Sequence, residues 1–153
     1  MKKLFFILVF IFSITIVFSQ TDSVNNNAVK NEPGKIIDTA AMAKVIVIRS
    51  TGHVGSAVNL RMLVDDAMLC KIRNNRYAVF YVKPGTHMFN ATSWDKPASK
   101  DKFGLTVPVE AGKEYYFSMR IKTRFMNTEI FLEEITLNTA APLLQKYKQD
   151  ECD

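Results

Sequence analysis

Two histidines are the side chains best suited to acid–base or metal chemistry in this sequence. His53 lies in the glycine-containing stretch STGHVGSA, and His87 follows the Pro84-Gly85 pair. A protein metal site needs three or four converging ligands, and neither histidine has a neighbour at the usual ligand spacing. We therefore predict no metal site, and we interpret His87 as a residue of cross-strand packing or turn hydrogen bonding.

Adjacent acids are the next candidates for catalysis, at Asp65-Asp66 and Glu133-Glu134. Neighbours on an extended chain point to opposite faces, whereas a catalytic carboxylate pair must face one substrate. A turn at Asp65-Asp66 is the better interpretation. The sequence GHVG is followed by a strand pattern rather than by the helix of a phosphate-binding loop, and no G-x-S-x-G elbow occurs. These patterns predict a protein that is not an enzyme, with no catalytic residues and no cofactor.

The two cysteines, Cys70 and Cys152, raise the question of a disulfide. A bridge requires Cα atoms within about 7 Å, but Cys70 lies in a strand-like run and Cys152 is the penultimate residue of a polar tail. We expect free or intermolecularly reactive thiols, with an intramolecular disulfide as the alternative. Neither cysteine has a nearby histidine that would indicate a nucleophile or a zinc ligand set.

The first residues have the pattern of a secretory signal peptide. Lys2 and Lys3 precede an apolar run from Leu4 to Phe18, and Ser19 suits a cleavage site. Residues 1–19 are therefore predicted to be a cleaved signal, which places the protein in the periplasm or outside the cell. The alternative is an uncleaved membrane anchor, although a spanning helix needs about 20 apolar residues. Cleavage lowers the net charge from +5 to +3, because it removes two lysines and no acid, and this mild charge does not indicate nucleic-acid binding.

The chain then divides into three parts. Residues 20–43 are polar and rich in asparagine, which predicts a flexible linker with a short helical turn in KIIDTAAMA. Residues 44–149 form the predicted domain, and residues 150–153 are a tail.

Alternation of apolar and polar residues predicts strands throughout the domain. The clearest case is AVNLRMLVD, where every second residue is apolar, and YAVFYV is apolar on both faces, which favours a central strand. The sequence Lys83-Pro84-Gly85-Thr86 predicts a type II turn that joins two antiparallel strands. Pro108 cannot donate a ladder hydrogen bond, so its strand should lie at a sheet edge or contain a bulge.

The end of the domain changes to a helical composition. In NTAAPLLQKYKQ, Asn138 or Thr139 could cap a helix whose apolar residues are Leu143, Leu144 and Tyr147. The predicted fold is all-β: an antiparallel β-sandwich of seven or eight strands with a short C-terminal helix packed on it.

A few exposed positions could contact a partner. Trp94 closes a strand before a polar loop, where its ring could pack or be exposed. Because successive side chains of a strand point to opposite faces, Tyr115 should face the core and Tyr116 should face outward; we call this the parity of the strand. The last candidates form a basic stripe on one strand face: Arg120, Lys122 and Arg124. This stripe is either a solvated outer face or a surface that is attracted to an anionic envelope.

The order of these pieces resembles the bacterial domain-of-unknown-function family numbered 2846. The resemblance covers residues 43–137 and is carried by a β-branched strand ending in Arg49, an Asp-containing turn, Pro84-Gly85-x-His87 and Ala111-Gly112-x-x-Tyr115-Tyr116. It implies an exported, often lipid-anchored envelope protein with a β-sandwich-like domain and no assigned reaction. This chain lacks the family's cysteine for lipid attachment, and Asp66-Ala67 stands where a glycine usually follows the turn aspartate.

Together these features predict a non-catalytic module of the cell envelope or the extracellular space. Its partner would be an envelope protein or surface component, with no nucleic acid and with peripheral membrane association left open. The alternative is a binder of a small molecule or lipid, which requires an apolar cavity of about 300 Å³ or more between the sheets.

Overall fold

A computed structural model describes residues 28–29, 38–53, 55–93, 104–124 and 127–152. The predicted signal peptide and Trp94 lie outside these residues. A 3₁₀ turn spans Thr39–Ala41 and one α-helix, α1, spans Leu137–Lys146. The strands are β1 (Ala28–Val29), β2 (Ala43–Arg49), β3 (Leu60–Val64), β4 (Ala67–Ile72), β5 (Arg76–Val82), β6 (Gly85–Ser93), β7 (Leu105–Val109), β8 (Glu114–Arg124), β9 (Asn127–Ile135) and β10 (Lys148–Gln149).

These strands form two sheets that face each other. The first sheet has the order β1-β5-β2-β8-β9, with β10 also paired to β5, and the second has the order β4-β3-β6-β7. The predicted two-sheet, all-β architecture is confirmed, but the prediction of a wholly antiparallel sandwich is wrong. In the first sheet β2 runs parallel to β8, and β10 runs parallel to β5. The parallel pair arises because β2 and β8 are separated in sequence by the whole second sheet, so no tight hairpin links them.

The core lies between the sheets, where every second side chain of each strand points. On β3 the apolar face that the alternation predicts is buried, and on β8 Phe117 and Met119 are fully buried, as parity predicts. Phe117 contacts Phe89 of β6 across the core, with ring centroids 4.8 Å apart. Burying such rings stabilises the sandwich by about 2 kcal/mol each.

The Pro84-Gly85 corner differs from its prediction. β5 belongs to the first sheet and β6 to the second, so this segment carries the chain from one sheet to the other and does not close a hairpin. Gly85 has a φ of 144°, far from the roughly 80° of a type II turn, and this backbone conformation favours glycine. The prediction failed because a Pro-Gly pair predicts a change of direction and leaves the pairing partner undetermined.

Two other local predictions are confirmed. Asp65 and Asp66 have φ values of 49° and 67° and form the two-residue turn between β3 and β4, where positive φ at both positions is typical of a type I′ hairpin. Pro108 lies on β7, which ends the strand order of the second sheet and pairs with β6. One side of an edge strand has no partner, so such a strand tolerates a residue without an amide hydrogen.

The C-terminal helix packs on the outer face of the first sheet, as predicted. Leu143, Leu144 and Tyr147 cover Ile46 and Ile48 of β2. The helix begins two to three residues earlier than expected, since its N-cap is Thr136 rather than Asn138 or Thr139.

The expectation of free thiols is wrong, since Cys70 and Cys152 form a disulfide with Cα atoms 4.8 Å apart. After α1 the chain turns back, pairs with β5 through β10 and ends beside β4, the strand that carries Cys70. The two cysteines are 82 residues apart in sequence, so local sequence patterns could not predict that they lie close together. The segment predicted to be a linker also contributes β1 and the 3₁₀ turn.

Candidate functional site

A groove lies on the outer face of the first sheet, on the side of that sheet opposite to the core. Its floor begins on β5, where period-two alternation turns one set of side chains outward and buries the other set against the core. The outward residues are Tyr77, Val79 and Tyr81. The two tyrosines are four positions apart in the strand, which places them about 13 Å apart along β5.

The neighbouring strands complete the floor. Lys44 of β2 lies between Tyr81 of β5 and Glu114 of β8 in the strand register, and Ile46 lies beside Tyr116 of β8 in the next row. The groove is therefore lined by rings from two strands with an apolar strip between them.

The wall of the groove comes from the C-terminal segment. Leu144 of α1 and Gln149 of β10 face the three tyrosines, and the groove has a volume of about 390 Å³. Because α1 covers the middle of the sheet, it also buries most of Tyr116, whose side chain is outward by parity. The helix thus converts an open sheet face into a bounded site.

A polar chain crosses one end of the floor. Lys44 Nζ donates to Glu114 Oε1 at 2.8 Å, and the hydroxyl of Tyr116 donates to Glu114 Oε2. The hydrogen bonds from Lys44 and Tyr116 lower the pKa of Glu114. Burial, together with the Glu114 carboxylate, raises the pKa of Tyr116 to about 12, so its hydroxyl stays protonated and remains a donor. The positive charge of Lys44 is matched by the carboxylate beside it.

The wall is anchored at the end of β10 by Asp150, which is buried. Its carboxylate accepts from the backbone N–H of Arg73 at 2.7 Å and from the guanidinium of Arg73, while its own N–H donates to the carbonyl of Tyr77. Burial alone would raise the pKa of Asp150, but the hydrogen bonds and charge of Arg73, with the charge of Arg76, bring it below its ordinary value. Asp150 therefore fixes the wall to the sheet as a carboxylate.

This shift predicts acid sensitivity. A carboxylate with a lowered pKa in the folded state contributes stability above its unfolded pKa, near 3.8, and loses the contribution as the pH falls through the folded value. We expect Asp150→Asn to lower the free energy of unfolding by about 2 kcal/mol at neutral pH. The difference between variant and wild type should shrink below about pH 4. Urea unfolding across that range measures it, and a difference that is constant with pH would contradict the ionic role of Asp150.

A buried arginine supports the same end of the sheet from the core side. Arg49, the last residue of β2, is 1% exposed. Its guanidinium donates to the carbonyls of Ile72, Gly55 and Val58 at 2.6, 2.8 and 2.5 Å. Burial lowers the pKa of Arg49 to about 10, and the charge of Asp150 opposes that shift, so the side chain stays cationic at neutral pH. Arg49 thus joins β2, β4 and the loop before β3.

Comparison with known protein families identifies the family of this chain. The family model described as "Protein of unknown function (DUF2846)" matches residues 39–131. The chain belongs to this family. The matched DUF2846 region contains the floor of the groove and Cys70, whereas Leu144, Gln149 and Cys152 lie beyond it. No curated protein matches the chain at a significant level.

Within the DUF2846 region, His87 meets a carboxylate. Its Nδ1 lies 2.7 Å from Asp65 Oδ2, and its Nε2 donates to the carbonyl of Lys83 at 2.8 Å. The second carboxylate oxygen of Asp65 accepts from the N–H of Met88. His87 is buried, so both ring nitrogens hold protein segments together: the β3–β4 turn and the corner between the sheets.

The other singled-out residues are dispersed. His53 and Asp66 are exposed in turns, and the Glu133 carboxylate pairs with Arg120 at 2.7 Å. On the same two strands, β8 and β9, Lys122 lies opposite Glu129. Arg120 and Lys122 of the basic stripe therefore lie beside acids of β9, which weakens their attraction to an anionic surface.

Two residues of interest line a different groove. Tyr115 and Glu134 lie next to the start of α1, beside Leu137. The side chain of Tyr115 packs against the core, as parity predicts, and its hydroxyl accepts from the N–H of Glu110 at 3.0 Å. Of the residues that line this groove, Tyr116 also lines the tyrosine-lined one.

Sequence reasoning missed most of the groove, since only Tyr116 was singled out. Tyr77 and Tyr81 were assigned to a central strand, and Lys44, Leu144 and Gln149 were not considered as site residues. The signal that could have found the floor is the Tyr-x-Val-x-Tyr alternation in YAVFYV, which puts two rings on one face.

The described part of the chain contains no group of three or more His, Cys, Asp or Glu residues that could hold a metal ion. None of its helices has the length and apolar character that crossing a bilayer requires.

Proposed function

We propose that the chain is an exported, non-catalytic β-sandwich module that binds an uncharged saccharide chain in the tyrosine-lined groove. Its place would be the cell envelope or the extracellular space. The single observation that carries the proposal is the arrangement of Tyr77, Tyr81 and Tyr116 along a bounded groove. Among the residues that line this groove the one cation, Lys44, is paired with the carboxylate of Glu114.

Two features support export. The first is the N-terminal pattern of lysines, apolar run and small residue. The second is the Cys70–Cys152 disulfide, because disulfides persist in oxidising compartments and are rare in the cytosol. The mass of the secreted protein tests this part: a chain that begins at Gln20 supports cleavage, and one that retains residues 1–19 contradicts it.

The proposal that the module is non-catalytic is supported by the hydrogen bonds that its reactive side chains make within the protein. In the one histidine–carboxylate pair among the described residues the histidine is buried, and its two ring nitrogens are occupied by Asp65 and by the carbonyl of Lys83. General acid–base catalysis needs such a group within reach of a substrate. The groove itself offers Lys44 and the protonated hydroxyl of Tyr116, both bound to Glu114.

The ligand class follows from the lining. Aromatic ring faces offer apolar contact, while the tyrosine hydroxyls and the amide of Gln149 supply hydrogen-bonding groups. A saccharide presents C–H faces and hydroxyl groups together, so it can use both kinds of surface. Two rings about 13 Å apart on β5 suit a chain of several sugar units better than a single ring, and the matched charges of Lys44 and Glu114 favour an uncharged ligand.

An inter-sheet ligand has less support. The space between the sheets is occupied by buried side chains such as Phe89 and Phe117. The tyrosine-lined groove and the groove beside Leu137 are lined by no strand residue of the second sheet. A lipid or small molecule between the sheets would have to displace that packing, at a cost of several kcal/mol.

Replacing Tyr81 tests the groove. The variant Tyr81→Ala removes one ring from the floor, and we expect it to weaken binding of chitotetraose, an uncharged saccharide probe, roughly tenfold. Tyr81 lies near the end of β5 and is half-buried, so the fold should tolerate the change. Isothermal titration calorimetry on the exported, oxidised protein measures the affinity.

The matched control is Phe131→Ala. Phe131 is a half-buried aromatic residue on the same outer face, opposite Arg120 on β9 and away from the groove. Its loss should leave the affinity unchanged. Equal weakening by both variants, or binding of a proline-rich peptide instead of the saccharide, would overturn the proposed ligand class.

A further inference from the structure

The wall of the groove is a separate segment whose helix contacts the sheet through one small apolar cluster. Residues 137–152 follow β9 as a ten-residue helix and a two-residue strand, and they lie beyond the DUF2846 match. Of the helix residues, Ala140 alone is fully buried. A helix this short is marginal in water without tertiary contacts, so the position of the wall depends on what holds its far end.

Three contacts hold that far end. β10 pairs with β5 at two positions, Lys148 with Arg76 and Gln149 with Tyr77. Asp150 binds Arg73, and the last link is covalent, from Cys152 to Cys70 of β4. The disulfide therefore ties the edge of the second sheet to the segment that forms a wall on the first.

We propose that residues 137–152 are a redox-controlled wall of the tyrosine-lined groove, which is complete when Cys70 and Cys152 are joined and opens when they are reduced. This inference rests on the proposed function for its ligand, but the movement of the wall does not. Leu144 and Gln149 are the residues through which the wall acts on the site, and Cys70 and Cys152 are positioning residues.

The reductant is a dithiol, such as a thioredoxin-like protein or dithiothreitol as a probe. Its thiolate attacks Sγ of Cys152, the half-buried partner, because Cys70 is fully buried. A mixed disulfide forms, and Cys70 leaves as a thiolate that takes up a proton. The second thiol of the reductant then displaces Cys152, so two electrons pass to the protein and the dithiol ends as a disulfide.

Once the bond is cut, the end of the wall is no longer held at a high effective concentration beside β4. Its remaining attachments are all non-covalent: the two strand pairs of β10, the hydrogen bonds of Asp150 to Arg73 and Tyr77, and the apolar packing of α1 on β2. The arginine of the Asp150–Arg73 ion pair is largely exposed. Withdrawal of the wall, with both α1 and β10, removes Leu144 and Gln149 from the groove and uncovers Tyr116. The site would then lose one side and its enclosed shape.

Amide hydrogen exchange, followed by mass spectrometry, tests the movement without any ligand. In the oxidised protein residues 137–149 should be protected, and dithiothreitol should raise their exchange at least tenfold. The strands Ala43–Arg49 and Leu60–Val64 are the internal reference: they exchange through global unfolding, so they should stay protected at labelling times too short for that unfolding. Unchanged exchange in 137–149, or an equal rise across both sheets, would overturn the proposal.

Variants give the same test without a reductant. Cys152→Ser should reproduce the exchange of the reduced protein, whereas the exposed neighbour Glu151→Ser keeps the disulfide and should match wild type. Chitotetraose affinity should fall at least tenfold in Cys152→Ser and stay unchanged in Glu151→Ser. If the oxidised protein does not bind the saccharide but its wall still opens on reduction, the proposed ligand is wrong and the movement stands.

Discussion

Loss of the disulfide is expected to lower the free energy of unfolding by about 4 kcal/mol in the variant Cys152→Ser. Cys70 and Cys152 are 82 residues apart, and joining them restricts the unfolded chain over that whole loop. In the chain-entropy model a loop of this length contributes about 4 kcal/mol. Guanidinium unfolding under non-reducing conditions measures the difference between variant and wild type.

The variant Glu151→Ser is the matched control, because it changes the exposed residue next to Cys152 and keeps the bridge. It should unfold at the wild-type midpoint. Dithiothreitol should bring wild type to the stability of Cys152→Ser and leave that variant unaffected. A Cys152→Ser protein within about 1 kcal/mol of wild type would mean that the bridge is not a main restraint on the unfolded chain.

Arg49→Met should have the next largest effect, a loss of about 3 kcal/mol of unfolding free energy. Methionine fills similar space but donates no hydrogen bonds, so the carbonyls of Ile72, Gly55 and Val58 lose their guanidinium partner. An unsatisfied buried polar group costs about 1–3 kcal/mol, and part of that cost is offset because no charge remains buried. Thermal or urea unfolding measures the loss.

Arg120→Met is the control for Arg49. Arg120 is an exposed arginine of the same sheet whose ion pair with Glu133 is solvated, so its replacement should cost less than about 1 kcal/mol. If Arg49→Met and Arg120→Met destabilise equally, then the three carbonyl contacts of Arg49 contribute little. The same result would also contradict the role of Arg49 in joining β2, β4 and the loop before β3.

Side-chain alternation predicted the faces of the strands because burial on a sheet has a period of two residues. Tyr115 faces the core and Tyr116 faces outward, as their parity requires. Parity cannot say what covers the outward face, and Tyr116 is buried because α1 packs on it. The identity of a face is thus local information, and its exposure depends on a distant segment.

Local sequence patterns could not predict which strands pair or that Cys70 and Cys152 form a disulfide. The Pro84-Gly85 corner looks like a hairpin turn, yet it joins β5 of one sheet to β6 of the other. Cys152 looks remote from Cys70, but β10 returns the chain to the edge of β5 and so to the neighbourhood of β4. Both outcomes depend on which edges remain open after the rest of the sheet has formed.

The groove was equally hard to predict because it assembles from four strands and a helix. Tyr77 and Tyr81 could be placed on one face from YAVFYV alone. The pairing of Lys44 with both Tyr81 and Glu114 depends on the mixed order of β5, β2 and β8, which the sequence did not predict. Gln149 entered the site because β10 pairs in parallel with β5.

The most direct test of the tyrosine-lined groove uses the five tyrosines of the chain as reporters. The oxidised protein, with isotope-labelled tyrosine rings, is titrated with chitotetraose and followed by nuclear magnetic resonance. The ring signals of Tyr77, Tyr81 and Tyr116 should shift together and saturate, while Tyr115, on the core face, should stay in place. Shifts at Tyr115 without the other three, or no shift in any ring at millimolar saccharide, would contradict the groove as the binding site.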